Sequence, residues 1–293
     1  MSEGRYTHVN GEVVPEGEAT VNVRDRGFAY GDAVFETLRA YGGELFEWEA
    51  HAKRLAGSCD ALGIDHGLSD GELRSRIDET LAANGFEEAY VKLSISRGVQ
   101  PGKLTPGPVE EPTVVVIAAE LPRGGPEGEP VWDAPASATV AEVRRIPDAS
   151  LPAHAKTHNY LNGILARREA LAAGVDEAIT LDTEGNLAEG ATCNLFLVRD
   201  GTLYTPSLSG PVLPGITRSV VLELAHAEGI PVEEGSYRPE ALLAADEAFL
   251  TNSTWEVRPL TRLDEVELER GPITERLREA FGERVATHYE TED

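Results

Sequence analysis

Cysteine, lysine and long apolar runs are all scarce in this chain of 293 residues. The two cysteines, Cys59 and Cys193, form neither a metal-binding spacing nor a disulfide framework. No apolar run approaches the ~20 residues that a membrane-spanning helix needs. Residues 1–5 lack the apolar core of a signal peptide. We therefore expect a cytoplasmic protein, and we predict no metal site.

Basic residues are outnumbered by acidic ones, 26 against 51, which gives a formal net charge of −25. The acidic residues are spread along the chain, and only four of the basic residues are lysines: Lys53, Lys92, Lys103 and Lys156. Such a surface repels nucleic acid phosphates and anionic lipids, so we predict neither nucleic acid nor membrane as a partner. Dispersed acid with arginine in place of lysine is interpreted as a halophilic adaptation, because salt screens the self-repulsion of the surface.

The length favours two domains, and a hydrophobic content of 41% excludes a disordered chain. The Pro- and Gly-rich segment Leu121–Pro130 is the clearest linker. It predicts an N-terminal domain at residues 1–121, a linker at 122–130 and a C-terminal domain at 131–293. The fold class expected is mixed, α+β or α/β, with the smaller α+β domain first.

Turn signals at Asn10-Gly11 and Gly42-Gly43 predict two hairpins and hence an antiparallel sheet in the first half. Alternation and apolar runs predict strands at Thr20–Arg24, Ala89–Ser96, Thr113–Glu120, Glu177–Asp182, Cys193–Val198 and Glu247–Thr251. Helical spacing predicts helices at Glu49–Leu62, Ser69–Asn84, Ser219–Glu228 and Ile273–Tyr289, and another that follows Lys156.

Three kinds of group in this chain suit one cofactor. Lys156 lies where an extended segment meets a helix, and the start of the helix that follows Pro214-Gly215 can bind an anion. Arg54 can supply a fixed charge, and Glu189 just before a buried strand needs a cationic or N–H partner. Each has an ordinary explanation by itself: a solvated lysine, a helix cap or a surface arginine. Together they indicate pyridoxal 5′-phosphate held as a Schiff base.

Seven segments resemble one known family, in family order and over nearly the whole chain: YGDAVFETLRAY, HAKRL, SRG, AKTHNYLNGILARREA, AEGATCNLFLV, LPGITR and DEAFLTNSTWEVRPL. The chain is similar to the class IV, fold-type IV, pyridoxal-phosphate-dependent aminotransferases. That family includes branched-chain and D-amino acid aminotransferases, (R)-amine transaminases and 4-amino-4-deoxychorismate lyase. The resemblance implies a two-domain fold-type IV enzyme, pyridoxal 5′-phosphate as cofactor, and a homodimer.

The resemblance also implies residue roles. Lys156 forms the internal aldimine, Tyr160 contacts the phenolic oxygen of the cofactor, and Glu189 pairs with the pyridine nitrogen. The phosphate is held by Arg54, by the amides of Ile216 and Thr217, and by Ser253. The remaining roles concern the substrate. Arg97 binds its carboxylate, and its pocket is lined by Tyr30, Phe35 and Thr254. His158 is interpreted as structural.

The subfamily stays open at this point. Thr37 and the pair Asn252-Ser253 depart from branched-chain enzymes, and Phe35 stands where D-amino acid enzymes carry tyrosine. The lyases often read Lys-His-x-Asn-Arg, whereas residues 156–160 here read Lys-Thr-His-Asn-Tyr. The favoured activity moves an amino group between an amino acid or amine and a 2-keto acid. The alternative is aminodeoxychorismate lyase, which gives 4-aminobenzoate and pyruvate.

Overall fold

The computed structural model describes residues 4–121, 123–124, 129–130 and 133–290. By their contacts the residues form two units: Met1–Leu121 with Ala155–Asn159, and Pro122–His154 with Tyr160–Asp293. The segment around Lys156 therefore packs with the first unit, although it follows the linker in the chain. Residues 122 and 125–128, which make up most of the expected linker, lie outside the described residues.

The first unit is built on an antiparallel sheet of order β2-β1-β6-β5-β3-β4. Its strands are β1 (Tyr6–Val9), β2 (Glu12–Pro15), β3 (Ala33–Tyr41), β4 (Glu44–Leu45), β5 (Ala89–Ser96) and β6 (Thr113–Ala119). Its helices are α1 (Arg26–Tyr30), α2 (Trp48–Leu62) and α3 (Asp70–Asn84), with a 3-10 turn at Glu16–Glu18. The predicted antiparallel sheet and both hairpins are confirmed.

Helices α2 and α3 pack on the sheet and bury its apolar face. Val34 and Leu38 of β3 share one core with Leu55 of α2 and Ile77 of α3. The N-terminus of α3 is fixed by a capping box, in which Glu72 N–H donates to Ser69 Oγ and the Glu72 carboxylate accepts from Ser69 N–H. The start of α3 was readable because a local capping group sets it.

The strand predicted at Thr20–Arg24 is wrong. The side chain of Asn22 accepts from Arg24 N–H at 2.8 Å, and its carbonyl accepts from Asp25 N–H at 2.8 Å. This turn leads into α1 instead of extending the chain. Val21 and Val23 are exposed, so their alternation does not mark a buried face.

The second unit contains a nine-stranded mixed sheet of order β11-β10-β9-β16-β15-β12-β13-β14, with β17 paired to β16, and a two-stranded ribbon. Its strands are β7 (Arg123–Gly124), β8 (Glu129–Pro130), β9 (Ala136–Arg144), β10 (Glu177–Leu181), β11 (Leu187–Gly190), β12 (Asn194–Arg199), β13 (Thr202–Pro206), β14 (Val232–Gly235), β15 (Glu247–Asn252), β16 (Glu256–Leu263) and β17 (Val266–Glu267). Its helices are α4 (Leu161–Ala173), α5 (Ile216–Ala227), α6 (Pro239–Leu243) and α7 (Pro272–Glu290). The pairs β9–β10, β9–β16 and β13–β14 are parallel, which gives this unit its α/β character.

Helix α5 begins three residues earlier than the sequence indicated, at Ile216 and not at Ser219. Gly215 is its extended N-cap, so Ile216 and Thr217 form its first turn. Among the described helices, none is long and apolar enough to cross a membrane. Over the same residues, no group of three or more His, Cys, Asp or Glu side chains is placed to hold a metal ion.

Candidate active site

The backbone of Lys156 is held on both sides by the first unit. Its carbonyl accepts from Phe35 N–H at 2.9 Å, and its N–H donates to Ser58 Oγ at 3.0 Å. The neighbouring His158 N–H donates to the carbonyl of Ala33 at 2.8 Å. The segment thus adds a short extended stretch to the start of β3, and Ser58 ties it to α2.

The Lys156 side chain lies against Phe35, with Nζ 4.5 Å from the ring centroid. Lys92 of β5 places its own Nζ 4.8 Å from the same centroid. The His158 ring meets Phe35 edge-on at 5.5 Å between centroids. Burial and then the charge of Lys156 lower the pKa of Lys92. The side chains of Lys156 and Lys92 therefore both contact one aromatic ring.

Arg54 projects from α2 and is bound to a buried carboxylate. Its Nε donates to Glu36 Oε1 at 2.9 Å, and a terminal nitrogen donates to Glu36 Oε2 at 2.6 Å. Ser58, one turn along the helix, donates to the Arg54 carbonyl at 2.9 Å. The predicted phosphate residue and the predicted Schiff-base lysine are therefore connected through a single serine.

Tyr30 and Arg97 lie in a second cluster of the first unit, around Asp32. The Arg97 guanidinium donates to both Asp32 oxygens and to the carbonyls of Leu62 and Gly63. Arg26 also donates to Asp32, at 2.7 Å, and stacks over the Tyr30 ring at 5.1 Å. With Nε and both terminal nitrogens engaged in this way, Arg97 is suited to hold the turn before β3 against the end of α2.

In the second unit Glu189 lies near the end of β11, and both of its carboxylate oxygens accept hydrogen bonds. Arg145 Nε donates to Oε1 at 2.7 Å, and Leu213 N–H donates to Oε2 at 2.9 Å. Only 7% of the residue is exposed. Two donors hold this buried carboxylate in one orientation, which suits a group that accepts from a protonated ring nitrogen.

The loop before α5 is shaped by Asn194, which donates to the Leu213 carbonyl at 3.0 Å. A Cβ atom at Gly215 would collide with the Asn194 side chain, so any other residue there would force Asn194 to move. Because Gly215 provides no side-chain cap, the first-turn N–H groups that include Ile216 and Thr217 are suited to an anion.

The residues after β15 form a turn around Asn252. Its Oδ1 accepts from Thr254 N–H and Trp255 N–H at 3.0 and 2.8 Å, and its Nδ2 donates to the Thr192 carbonyl at 3.3 Å. Ser253 and Thr254 thereby lie on a turn fixed to the strand pair β12–β15. Tyr160 is the N-cap of α4.

Each unit thus brings several predicted residues together. Lys156, Phe35 and Arg54 meet in the first, and Glu189 meets the loop that opens α5 in the second. Sequence reasoning missed the residues that hold these groups: Glu36, His51, Ser58, Arg145 and Asn194. One signal was available, because His51 and Arg54 are three residues apart on a helix and therefore face the same way.

Comparison with known proteins places this geometry in a family. The model for amino-transferase class IV matches residues 33–263. A putative branched-chain-amino-acid aminotransferase of Methanocaldococcus jannaschii is 39% identical over 278 residues, 94% of each chain. An aminodeoxychorismate lyase of Bacillus subtilis is 36% identical, over 88% of this chain and 87% of the lyase. A D-alanine aminotransferase of Listeria monocytogenes is 33% identical, over 94% and 95%.

Solved structures agree with this assignment. The branched-chain aminotransferase of Thermoproteus uzoniensis with norvaline matches with a TM-score of 0.90 and 35% identity, over 97% of this chain and 95% of that one. An aminotransferase of Brucella abortus bound to PLP matches with a TM-score of 0.86 and 27% identity, over 96% and 99%. The fold and the site define a pyridoxal-phosphate enzyme. The chain belongs to the class IV aminotransferases, and its cofactor is pyridoxal 5′-phosphate.

Proposed function

We propose that this enzyme is an aminotransferase that moves the amino group of a branched-chain L-amino acid to a 2-keto acid, through a Schiff base between Lys156 and the cofactor. The observation that carries this proposal is the fixed position of Lys156, whose backbone is bonded to Ser58 and Phe35 and whose Nζ lies 4.5 Å from the Phe35 ring. The aminotransferases of M. jannaschii and T. uzoniensis support the choice of substrate.

The residues of the chain fit the cofactor. In our proposal Arg54, the Ile216 and Thr217 amides and Ser253 bind the phosphate, and Tyr160 contacts the phenolic oxygen. Glu189 accepts from the pyridine nitrogen, and Arg145 and Leu213 N–H hold it ready to do so. The cofactor, when bound, withdraws the electrons left on the substrate Cα after its proton departs.

Lys156 is the group that we propose to move that proton. As a general base it takes the proton from the substrate Cα, and as a general acid it returns the proton elsewhere on the reacting system. Tyr30, Phe35 and Thr254 are proposed to contact the substrate. We assign Arg97 a structural role, since its guanidinium is bonded to Asp32 and two carbonyls.

A second candidate function is aminodeoxychorismate lyase. The B. subtilis lyase matches most of this chain at 36% identity. The segments Phe35-Glu36-Thr37, Leu213-Pro214-Gly215 and Thr251-Asn252-Ser253 also resemble those of lyases. Both functions use the same cofactor, but only the aminotransferase needs a second keto acid.

One assay separates the two. The purified protein, loaded with pyridoxal phosphate, is given L-branched amino acids, L-glutamate, D-alanine or (R)-phenylethylamine with 2-oxoglutarate or pyruvate, and separately aminodeoxychorismate. We expect amino transfer from the L-branched donors and no 4-aminobenzoate. Release of 4-aminobenzoate without amino transfer from any donor establishes the lyase instead.

Two variants test the role of Lys156 in the same assay. Lys156→Ala should lose at least about 10³-fold in turnover, because both the covalent anchor and the proton carrier are gone. Lys53→Ala, which removes an exposed lysine of α2, should keep wild-type turnover. Wild-type turnover by Lys156→Ala contradicts the assignment.

We also propose a homodimer. The first unit exposes Phe28 and Leu104, and the second exposes Leu161 and Ile164 on α4. Exposed apolar side chains of this size suit a protein interface. Light scattering on the preparation used for the assays should give about twice the chain mass of 31.5 kDa, and a mass equal to that of one chain contradicts the dimer.

A further inference from the structure

Glu36 is a charged residue on an otherwise apolar face of the first sheet. It lies on β3 between Val34 and Leu38, which both belong to the core beneath α2. Its exposed fraction is 0%. A carboxylate in such a place costs stability unless it is paired, so its partners are the reason that it can be there.

The partners of Glu36 come from one face of α2. Arg54 forms two parallel bonds to it, from Nε at 2.9 Å and from a terminal nitrogen at 2.6 Å. His51, three residues earlier on the helix, bonds the carboxylate through Nδ1 at 2.7 Å. Burial alone would raise the pKa of Glu36, but the Arg54 charge and these hydrogen bonds lower it to about 2. The carboxylate is therefore ionised at neutral pH.

The two-bond arrangement fixes the plane of the guanidinium. A free arginine side chain samples many rotamers, whereas a bidentate carboxylate holds one orientation. The edge that carries Nε faces Glu36, so the opposite edge points away from it. The Arg54 side chain is only 9% exposed, which leaves it little freedom to find that orientation in water.

We propose that Glu36 is a positioning residue, which holds the Arg54 guanidinium in the orientation that binds the cofactor phosphate. This inference rests on the proposed function, in which Arg54 is a phosphate residue. Two effects of Glu36 on phosphate binding have opposite signs. Its negative charge repels the phosphate, and its bonds orient the cation. The orientation dominates, because without Glu36 the guanidinium loses the two carboxylate oxygens that fix its plane.

The test uses the affinity of the cofactor-free enzyme for pyridoxal phosphate and for pyridoxal, followed by the absorbance of the bound cofactor. Glu36→Gln keeps the shape of the side chain but replaces one of the two acceptor oxygens with an NH2 donor, so the two-bond pairing with Arg54 is lost. We expect its affinity for pyridoxal phosphate to fall about tenfold, the lower end of the loss seen when groups that orient a metal-binding residue are removed. Its affinity for pyridoxal, which has no phosphate, should be unchanged.

Glu88→Gln is the matched control. It removes another carboxylate that accepts from an arginine of β3, in this case Arg39 at 3.3 Å. It should change neither affinity. Arg54→Met should weaken pyridoxal phosphate binding, and Glu36→Gln should add nothing to that loss, since it acts through Arg54. An unchanged affinity in Arg54→Met contradicts the phosphate role in the proposed function, whatever Glu36 does.

Three results overturn the inference on Glu36 while Arg54→Met remains impaired. In the first, Glu36→Gln binds pyridoxal phosphate as tightly as the wild type or more tightly. In the second, Glu36→Gln loses as much affinity for pyridoxal as for pyridoxal phosphate. In the third, adding Glu36→Gln to Arg54→Met weakens pyridoxal phosphate binding further. Glu36→Asp provides the same measurement if the glutamine variant does not fold. Its shorter carboxylate keeps the charge but cannot keep both bonds, so it should also lose affinity for pyridoxal phosphate alone, and an unchanged affinity contradicts the inference.

Discussion

Two of the four lysines lie against one aromatic ring, Phe35, at 4.5 Å for Lys156 and 4.8 Å for Lys92. The position of Lys156 beside a helix start, and the family motifs around it, were visible in the sequence. Lys92 was not singled out, because its place depends on the pairing of β5 with β3, which sets Lys92 opposite Thr37. Such a contact between residues far apart in the chain leaves no local pattern. For this reason, residues that support a site are harder to predict from the sequence than residues that perform its chemistry.

His158 is the residue for which burial makes the sharpest pH prediction. Burial, and next the charge of Lys92, lower its pKa from 6.5 to about 4, against a smaller opposing effect of Asp25. Below pH 6.5 the unfolded chain takes up the proton while the folded chain does not, so stability falls as the pH falls towards 4. Between pH 7.5 and 5.0 this linkage costs about 2 kcal/mol.

We therefore expect the free energy of unfolding of His158→Gln, measured in urea, to fall less than that of the wild type when the pH is lowered from 7.5 to 5.0. The difference between the two falls should be about 2 kcal/mol. The comparison uses the change with pH and not the stability itself, because the variant also alters packing on Phe35. His154→Gln, at an exposed position, should follow the wild type. Equal pH slopes for all three proteins contradict the lowered pKa of His158.

At the scale of elements, capping and turn signals were reliable, whereas contacts between segments far apart in the chain were not predicted. The capping box of α3, the glycine stop of α2 and the hairpin at Asn10-Gly11 were all readable, because each depends on residues that are neighbours in sequence. The segment around Lys156 was expected in the second domain, yet it bonds to β3 and α2 of the first unit. Nothing in a five-residue segment specifies a partner that lies about a hundred residues away.

Helix α2 offers a test of that attachment through Ser58, which is fully buried. Ser58→Ala removes the acceptor of Lys156 N–H, 98 residues away in sequence. A buried N–H without a partner costs about 1–3 kcal/mol, so the free energy of unfolding should fall by that amount. Ser75→Ala, which removes an exposed hydroxyl bonded to Glu79, should change it by less than about 0.5 kcal/mol. Equal losses in the two variants contradict the proposed anchoring of the segment.

For the whole molecule, the order of the predicted elements indicated the mixed α+β fold class, but it did not indicate that residues 155–159 pack with the first unit. The pattern of hairpins and helices in the first half, and of strands alternating with helices in the second, was sufficient for the fold. Residues that share a contact unit without being continuous in sequence, such as Ala155–Asn159 with Met1–Leu121, have no compositional sign. The net charge, in contrast, is read directly from the composition and affects the stability of the whole molecule.

The net charge of −25 predicts that salt stabilises the folded protein. Like charges repel more strongly in the folded chain, where they are closer together, and salt shortens the range of that repulsion from ~10 Å at 0.1 M to ~3 Å at 1 M. Buried pairs such as Glu36–Arg54 are screened less and should not offset the gain.

We expect the thermal midpoint to rise as KCl increases from 0.1 to 2 M at pH 7.5. Near pH 5, close to the sequence pI of about 4.6, the slope of the midpoint against salt should be smaller because the carboxylates carry less charge. A midpoint that is flat or falling with salt at pH 7.5 contradicts the halophilic interpretation, and an equal rise at both pH values assigns the effect to the salt's action on water and not to the charge of the chain.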